Sequence, residues 1–240
     1  MIVVNGVTKA FSTGSSEVRA VDNVDLRVQQ GDFVLILGRS GSGKSTLLGM
    51  LAGLLRPTTG TVRIRGMDIS TLSDDKMAEL RSQDIGFVFQ FSGLIPTVTA
   101  LENVMIPMLF SADGSGNRAK ALDLLKQVGV ADRADAYPGT LSSGEMKRVA
   151  IARALINGPS ILIADEPTGD LDVDTESEIM ALFRQLNSEG ITIVMVTHNP
   201  DLIPCATKIY RMSHGRMVEN LDSTLCLKGP KIRDEYTDQP

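Results

Sequence analysis

The feature that most constrains this chain is a short apolar run that passes directly into a glycine-rich loop. Phe33-Val34-Leu35-Ile36-Leu37 is apolar without alternation, the pattern of a strand buried on both faces. Gly38-Arg39-Ser40-Gly41-Ser42-Gly43-Lys44-Ser45 follows at once and fits GxxxxGK[ST]. Residues 45–55 then read as a helix ended by Arg56-Pro57. Strand, glycine loop and helix in that order make a phosphate cradle. Glycines let the backbone wrap a polyphosphate with its amide hydrogens inward, and the helix start adds a favourable dipole. On this reading Gly38, Ser40, Gly41 and Gly43 shape the loop, and Lys44 neutralises the β and γ phosphates. Ser45 places its hydroxyl on Mg2+, and Thr46 reaches the α phosphate.

The remaining order follows from this unit. Residues 2–4 and 18–28 read as strands with turn signals at 12–16 and 29–32, and 61–65 as a further short strand. Residues 74–81 open a helix with acids in its first turn. From 91 to 158 the pattern turns helical, with apolar spacing over 119–128 and 142–156 around a Ser/Gly/Asn loop at 111–117. Strand 161–164, helix 174–187, strand 191–197 and a hairpin of 208–212 with 216–218, turning at His214-Gly215, complete the chain. Strand-helix-strand order implies a parallel sheet. The expected division is an α/β core over 1–90 and 159–222, a helical insert over 91–158 and a polar tail over 223–240.

Composition narrows the function classes. The chain has 240 residues, 42% hydrophobic and 22% charged, enough for one large domain or one domain with an insert. Its 24 Lys plus Arg against 29 Asp plus Glu leave a net charge of −5, opposite to the basic footprint of nucleic-acid binding. Residues 1–10 have no signal-peptide pattern, so the chain is expected to stay in the cytosol. The chargeless stretch 85–101 is interrupted by Gly86, Gln90, Gly93 and Pro96 and falls short of the about 20 apolar residues that a spanning helix needs. Cys205 and Cys226 form no CxxC pair and read as buried thiols in a reducing compartment.

A second chemical element is Ile161-Leu162-Ile163-Ala164-Asp165-Glu166. An apolar strand ending in two acids puts carboxylates at the C-terminal edge of a parallel sheet, where open α/β folds bind ligands. Asp165 is placed to hold the metal through water, and Glu166 to polarise an attacking water as general base. The strand 191–197 ends at His198 on the same edge, where an imidazole can donate to a γ phosphate. His214, beside Gly215 in a turn, reads as a turn residue without chemistry.

These motifs, with Leu141-Ser142-Ser143-Gly144-Glu145 opening a helix, resemble the ATP-binding subunits of ABC transporters over roughly residues 1–219. Residues 91–103 and Thr168-Gly169-Asp170-Leu171-Asp172 look most like the lipoprotein-release and macrolide-export type. That group includes ATPases paired with permeases that move lipoproteins or peptides, and one that works in cell division. The resemblance implies a P-loop NTPase fold: a RecA-like core with a mainly parallel sheet, an N-terminal antiparallel β subdomain and an inserted α-helical subdomain. It implies that Phe11 stacks on adenine and that Gln90 senses Mg2+ and the γ phosphate and couples the site to a partner. It further implies that Asp172 bridges the two sites of a dimer, and that Ser142 and Gly144 bind the γ phosphate held by the other copy.

One glycine loop and one signature per chain then require two copies, head to tail, around two Mg2+-ATP. The signature departs from the usual LSGGQ or LSGGE at Ser143, whose Cβ is expected to impair closure of the ATP sandwich. Residues 85–112 carry only Glu102 as a charge, together with Phe87, Phe89, Phe91 and Phe110. Part of this run belongs to the core, and the rest, with Met105 and Met108, is expected to form a groove for a cytoplasmic helix of a transmembrane permease. The chain would then sit peripherally on the inner membrane face through that partner. An ATPase of DNA repair is disfavoured, because the span from Lys44 to Ser142 has neither heptads nor metal-spaced cysteines. A non-transport engine acting mechanically on cell-wall or division functions would have the same sequence features.

Overall fold

The computed structural model describes residues 1–14, 16–110 and 117–222, so most of the 111–117 loop, the 223–240 tail and Cys226 lie outside it. β1 (Ile2–Thr13) and β2 (Ser16–Val28) form one long antiparallel hairpin whose register runs from Ile2↔Val28 to Thr13↔Ser16. Ile2, Val4 and Val7 face inward from one strand and Val21, Val24, Leu26 and Val28 from the other. The turn signal at 12–16 lies where expected, but the first strand runs on well past Val4. β3 (Phe33–Leu37) is buried at every position, and α1 (Lys44–Leu51) follows the glycine loop. That helix ends at Leu51 rather than Leu55, because the Gly49 carbonyl accepts from the amides of Leu54 and Leu55 over a left-handed Gly53. β4 (Thr59–Ile64) and β5 (Met67–Asp68) return to the hairpin and complete an antiparallel sheet of order β2-β1-β4-β5.

α2 (Asp74–Asp84) starts at Ser73, whose hydroxyl accepts from the Lys76 amide, and runs into β6 (Ile85–Val88). The chargeless stretch that opens at Ile85 therefore begins as a strand of the sheet. α3 (Ala100–Met105), α4 (Arg118–Gln127) and α5 (Ser143–Leu155) then intervene before β7 (Ile161–Asp165), so the crossover between two adjacent parallel strands is itself a helical layer. α6 (Val173–Ser188), β8 (Thr192–Thr197), β9 (Lys208–Ser213) and β10 (Arg216–Asp222) follow. The second sheet has the order β10-β9-β3-β8-β7-β6; all its neighbours pair parallel except the β9–β10 hairpin at the edge.

Period-two alternation sorts this sheet's side chains between two cores. Phe33, Leu35 and Leu37 of β3, with Leu162 and Ala164 of β7, face the helices α3 to α6. Val34 and Ile36, with Ile161 and Ile163, face α1 and the antiparallel sheet. This explains the non-alternating sequence of the central strands, since both faces are dry. Met108, expected in a surface groove, is buried in the first of these cores. Cys205 is a partly buried free thiol.

Candidate functional site

The loop between β3 and α1 lines a cavity of about 800 Å3. Bare backbone is required there. A Cβ at Gly38 would lie 2.5 Å from the Met212 carbonyl oxygen, and one at Gly43, whose φ is 101°, would collide with the Ala20 carbonyl. Both terminal hairpins thus press on the loop, and Gly215 ties them to it: its amide donates to the Ser42 carbonyl at 2.9 Å, and its carbonyl accepts from Asp22 at 2.8 Å. Gly38, Ser40, Gly41, Gly43, Ser45 and Thr46 line the cavity.

The charged groups converge because β3, β7 and β8 end side by side. Leu37 is in register with Thr197, and Asp165 with Val196, so the glycine loop, the two acids and His198 emerge at one C-terminal edge. Lys44 is only 4% exposed. Its ammonium donates to the carbonyls of Gly38 at 2.7 Å and Arg39 at 3.0 Å, and lies 3.4 Å from Glu166 Oε1. The Ser45 hydroxyl donates to Asp165 Oδ1 at 3.2 Å. Burial pushes the Asp165 carboxyl above the usual carboxylate range, with the Glu166 charge adding to it and the Ser45 hydrogen bond and Lys44 opposing it.

Glu166 adopts φ 42°, a left-handed conformation that costs a non-glycine residue about 1–3 kcal/mol. The Val196 carbonyl holds its amide at 3.0 Å. The turn aims the carboxylate between Lys44 and His198, whose Nδ1 lies 2.9 Å from Glu166 Oε2. Gln90, just beyond β6, also lines the cavity. Sequence reasoning missed Arg211, which reaches the cavity only because β9 pairs with β3 and sets it beside Leu37.

The residues assigned by resemblance to the second copy's nucleotide stand elsewhere. Ser142 caps α5, its hydroxyl accepting from the Glu145 amide while the Glu145 carboxylate accepts from the Ser142 amide at 2.8 Å. Asp172 caps α6 and accepts from the Thr175 amide at 2.9 Å and hydroxyl at 2.7 Å. Gly144 packs on the same threonine, where an added Cβ would come within 2.7 Å of its methyl. Ser142, Gly144 and Asp172 thus form a second cluster, and none of them lines the cavity around Lys44. Phe11 does not line it either; it is 41% exposed on β1, with the Lys9 ammonium 5.2 Å from its ring centroid. Ser143 opens α5 with φ outside the left-handed region, so its backbone does not require glycine. His214 sits in the β9–β10 turn with φ 47°.

The family model described as ABC transporter matches residues 21–169. The chain belongs to the ABC transporter family. It is 45% identical over 225 residues to the macrolide export ATP-binding/permease protein MacB of Rhodopirellula baltica, covering 92% of this chain and 33% of that protein. It is 46% identical to the ABC transporter ATP-binding protein MJ1508 of Methanocaldococcus jannaschii, covering 91% of this chain and 98% of that one. The chain therefore spans about a third of the length of the MacB relative. Among solved structures it is similar to the dimeric cassette MJ0796, with a TM-score of 0.88 and 41% identity over 93% of this chain and 99% of that chain. A dimer of MJ0796 in a post-hydrolysis state, bound to ADP and Pi, superposes with a TM-score of 0.87 at 40% identity, over 93% of this chain and 99% of that one. The fold is that of an ABC ATPase cassette, and the chain is an ATP-binding ATPase domain of the family. Among the described residues no helix is long and apolar enough to cross a membrane.

Proposed function

We propose that the chain binds Mg2+-ATP in the cavity around Lys44 and hydrolyses it as a head-to-tail dimer that drives a separate transmembrane permease. The observation that carries this is the separation of two clusters on one chain. Lys44, Ser45, Asp165, Glu166 and His198 meet at the sheet edge, while Ser142, Gly144 and Asp172 cluster outside that cavity. A second copy turned head to tail would lay its Ser142 cluster over the nucleotide, and the dimeric cassettes among the relatives support that arrangement.

The donor set suits the cation: a serine hydroxyl and a carboxylate are hard oxygen ligands, few enough to leave positions for phosphate and water. Held by Ser45 and Asp165, with Gln90 beside them, Mg2+ would neutralise charge on the phosphates. Lys44 exchanges its hydrogen bonds to the loop carbonyls for bonds to the β and γ phosphates, and Phe11, on β1 outside the cavity lining, supplies a ring for adenine. Glu166 takes the proton of the attacking water, and His198, whose Nδ1 faces that carboxylate, contacts the γ phosphate. The division into a core over 1–90 and 159–222 and a helical signature unit over 91–158 puts the Lys44 site in the core and Ser142 and Gly144 in the helical unit, with Asp172 of the core beside them.

The permease contact is placed on the exposed apolar residues flanking α3: Phe91 at 74% and Phe110 at 77%, with Phe89 and Ile95 half exposed. Met108 is excluded because it is buried. Their exposure and the net charge of −5 favour attachment to the inner membrane face through a protein rather than through anionic lipid. Exporter or lipoprotein- and peptide-extracting systems fit best, given the relative named for macrolide export. Two experiments test this. Specific ATPase activity should rise with protein concentration and require Mg2+, and a rate independent of concentration would contradict the dimer. Photocrosslinkers at Phe91 or Phe110 should capture a co-expressed permease, and their failure at both positions would contradict the docking surface.

A further inference from the structure

Lys147 on α5 is 1% exposed, and among the described residues only Lys44 is a comparably buried charge. Nothing in the nucleotide chemistry above uses it. A buried ammonium is costly unless it is paired and hydrogen-bonded, and this one has two partners from different loops. It donates to the Gln90 backbone carbonyl at 2.6 Å and lies 3.6 Å from Asp170 Oδ1. Burial pushes the amine below its ordinary range, and Asp170 pulls it back.

The three joined segments are those that the proposed function sets to different tasks. Gln90 lines the nucleotide cavity at the end of β6. Asp170 stands between Glu166 and Asp172, on the turn in which the Leu171 amide donates to the Thr168 carbonyl at 3.1 Å. Lys147 itself is in the second turn of the helix capped by Ser142. Farther along α5, Arg153 grips the same loop through the carbonyls of Ser92 at 2.6 Å and Gly93 at 2.7 Å.

We propose that Lys147 is a positioning residue for hydrolysis: its ammonium locks the Gln90 loop and the Asp170 turn to the signature helix, so the parts of the site move together. This rests on the reading that the chain turns over Mg2+-ATP as a dimer. The side chain touches no reacting atom, so it sets kcat through the groups it places and leaves ground-state ATP binding largely alone.

The test compares wild type, Lys147→Met, Asp170→Asn and the double variant by steady-state ATPase kinetics on the full chain. Lys147→Met should lower kcat about tenfold with KM for ATP changed less than about threefold, within the range that coupling networks control. Asp170→Asn, which keeps an acceptor oxygen for the ammonium at a half-exposed position, should lower kcat by about threefold, and this arm stands even where Lys147→Met fails to fold. The double variant should be no slower than Lys147→Met, because that substitution already removes the Asp170 link. Wild-type kcat in Lys147→Met or in Asp170→Asn, or additive losses in the double variant, would overturn the inference. A wild-type chain without ATPase activity would overturn the proposed function and this inference with it.

Discussion

Glu166 concentrates the chemistry in one residue: a left-handed backbone, a lysine on one carboxylate oxygen and a histidine on the other. Glu166→Gln keeps the shape and removes the base, so hydrolysis should fall by about a hundredfold or more while ATP binding persists. Nucleotide fluorescence titration beside a phosphate-release assay separates the two. Asp165 behaves differently, because burial lifts its pKa. A raised acid favours the protonated form in the folded state, so its stability contribution is present at low pH and is lost as pH rises from the unfolded through the folded value. Asp165→Asn should therefore raise the melting temperature at neutral pH without Mg2+, by about 2–4 °C for each kcal/mol recovered, and weaken Mg2+-dependent turnover. An unchanged or lower melting temperature would contradict the burial argument. These residues were legible in the sequence because strand, loop and acid pair are each contiguous. Lys147 was not, since its partners come from positions 90 and 170 and meet it only in the fold.

At the scale of elements, the start of α5 rests on the start of α6 through one glycine and one methyl group. Gly144→Ala would put its Cβ within 2.7 Å of the Thr175 methyl and should cost about 1–3 kcal/mol of stability in chemical denaturation. Thr175→Ser removes that methyl and should restore most of the loss, and a double variant as unstable as Gly144→Ala alone would place the strain elsewhere. The capping box of α5 adds a pH dependence. The Ser142 amide, ahead of Arg133, holds the Glu145 carboxyl below its ordinary range. Its contribution is present above the unfolded pKa and fades as pH falls through the lowered folded value. Helix α5 was readable from its apolar period and the central strands from unbroken apolar runs. β6 and α3 were not: a four-residue strand containing glycine and a six-residue helix are each too short for a period to emerge from the apolar run around them.

At the scale of the whole molecule, the central claim is that one chain holds two halves of different sites. The glycine loop and acid pair were legible as motifs, and the Ser142 half followed only from the family resemblance. Only the fold shows that the Ser142 cluster lies outside the cavity around Lys44, and on the proposed function that separation calls for a second copy. Closure should be ATP-driven and trapped when the base is lost. Sedimentation velocity of Glu166→Gln measures this directly: with saturating ATP the account predicts a dimer carrying two nucleotides, dispersing to monomer when ATP is withdrawn. A Glu166→Gln chain that binds ATP and remains monomeric at saturation would contradict it.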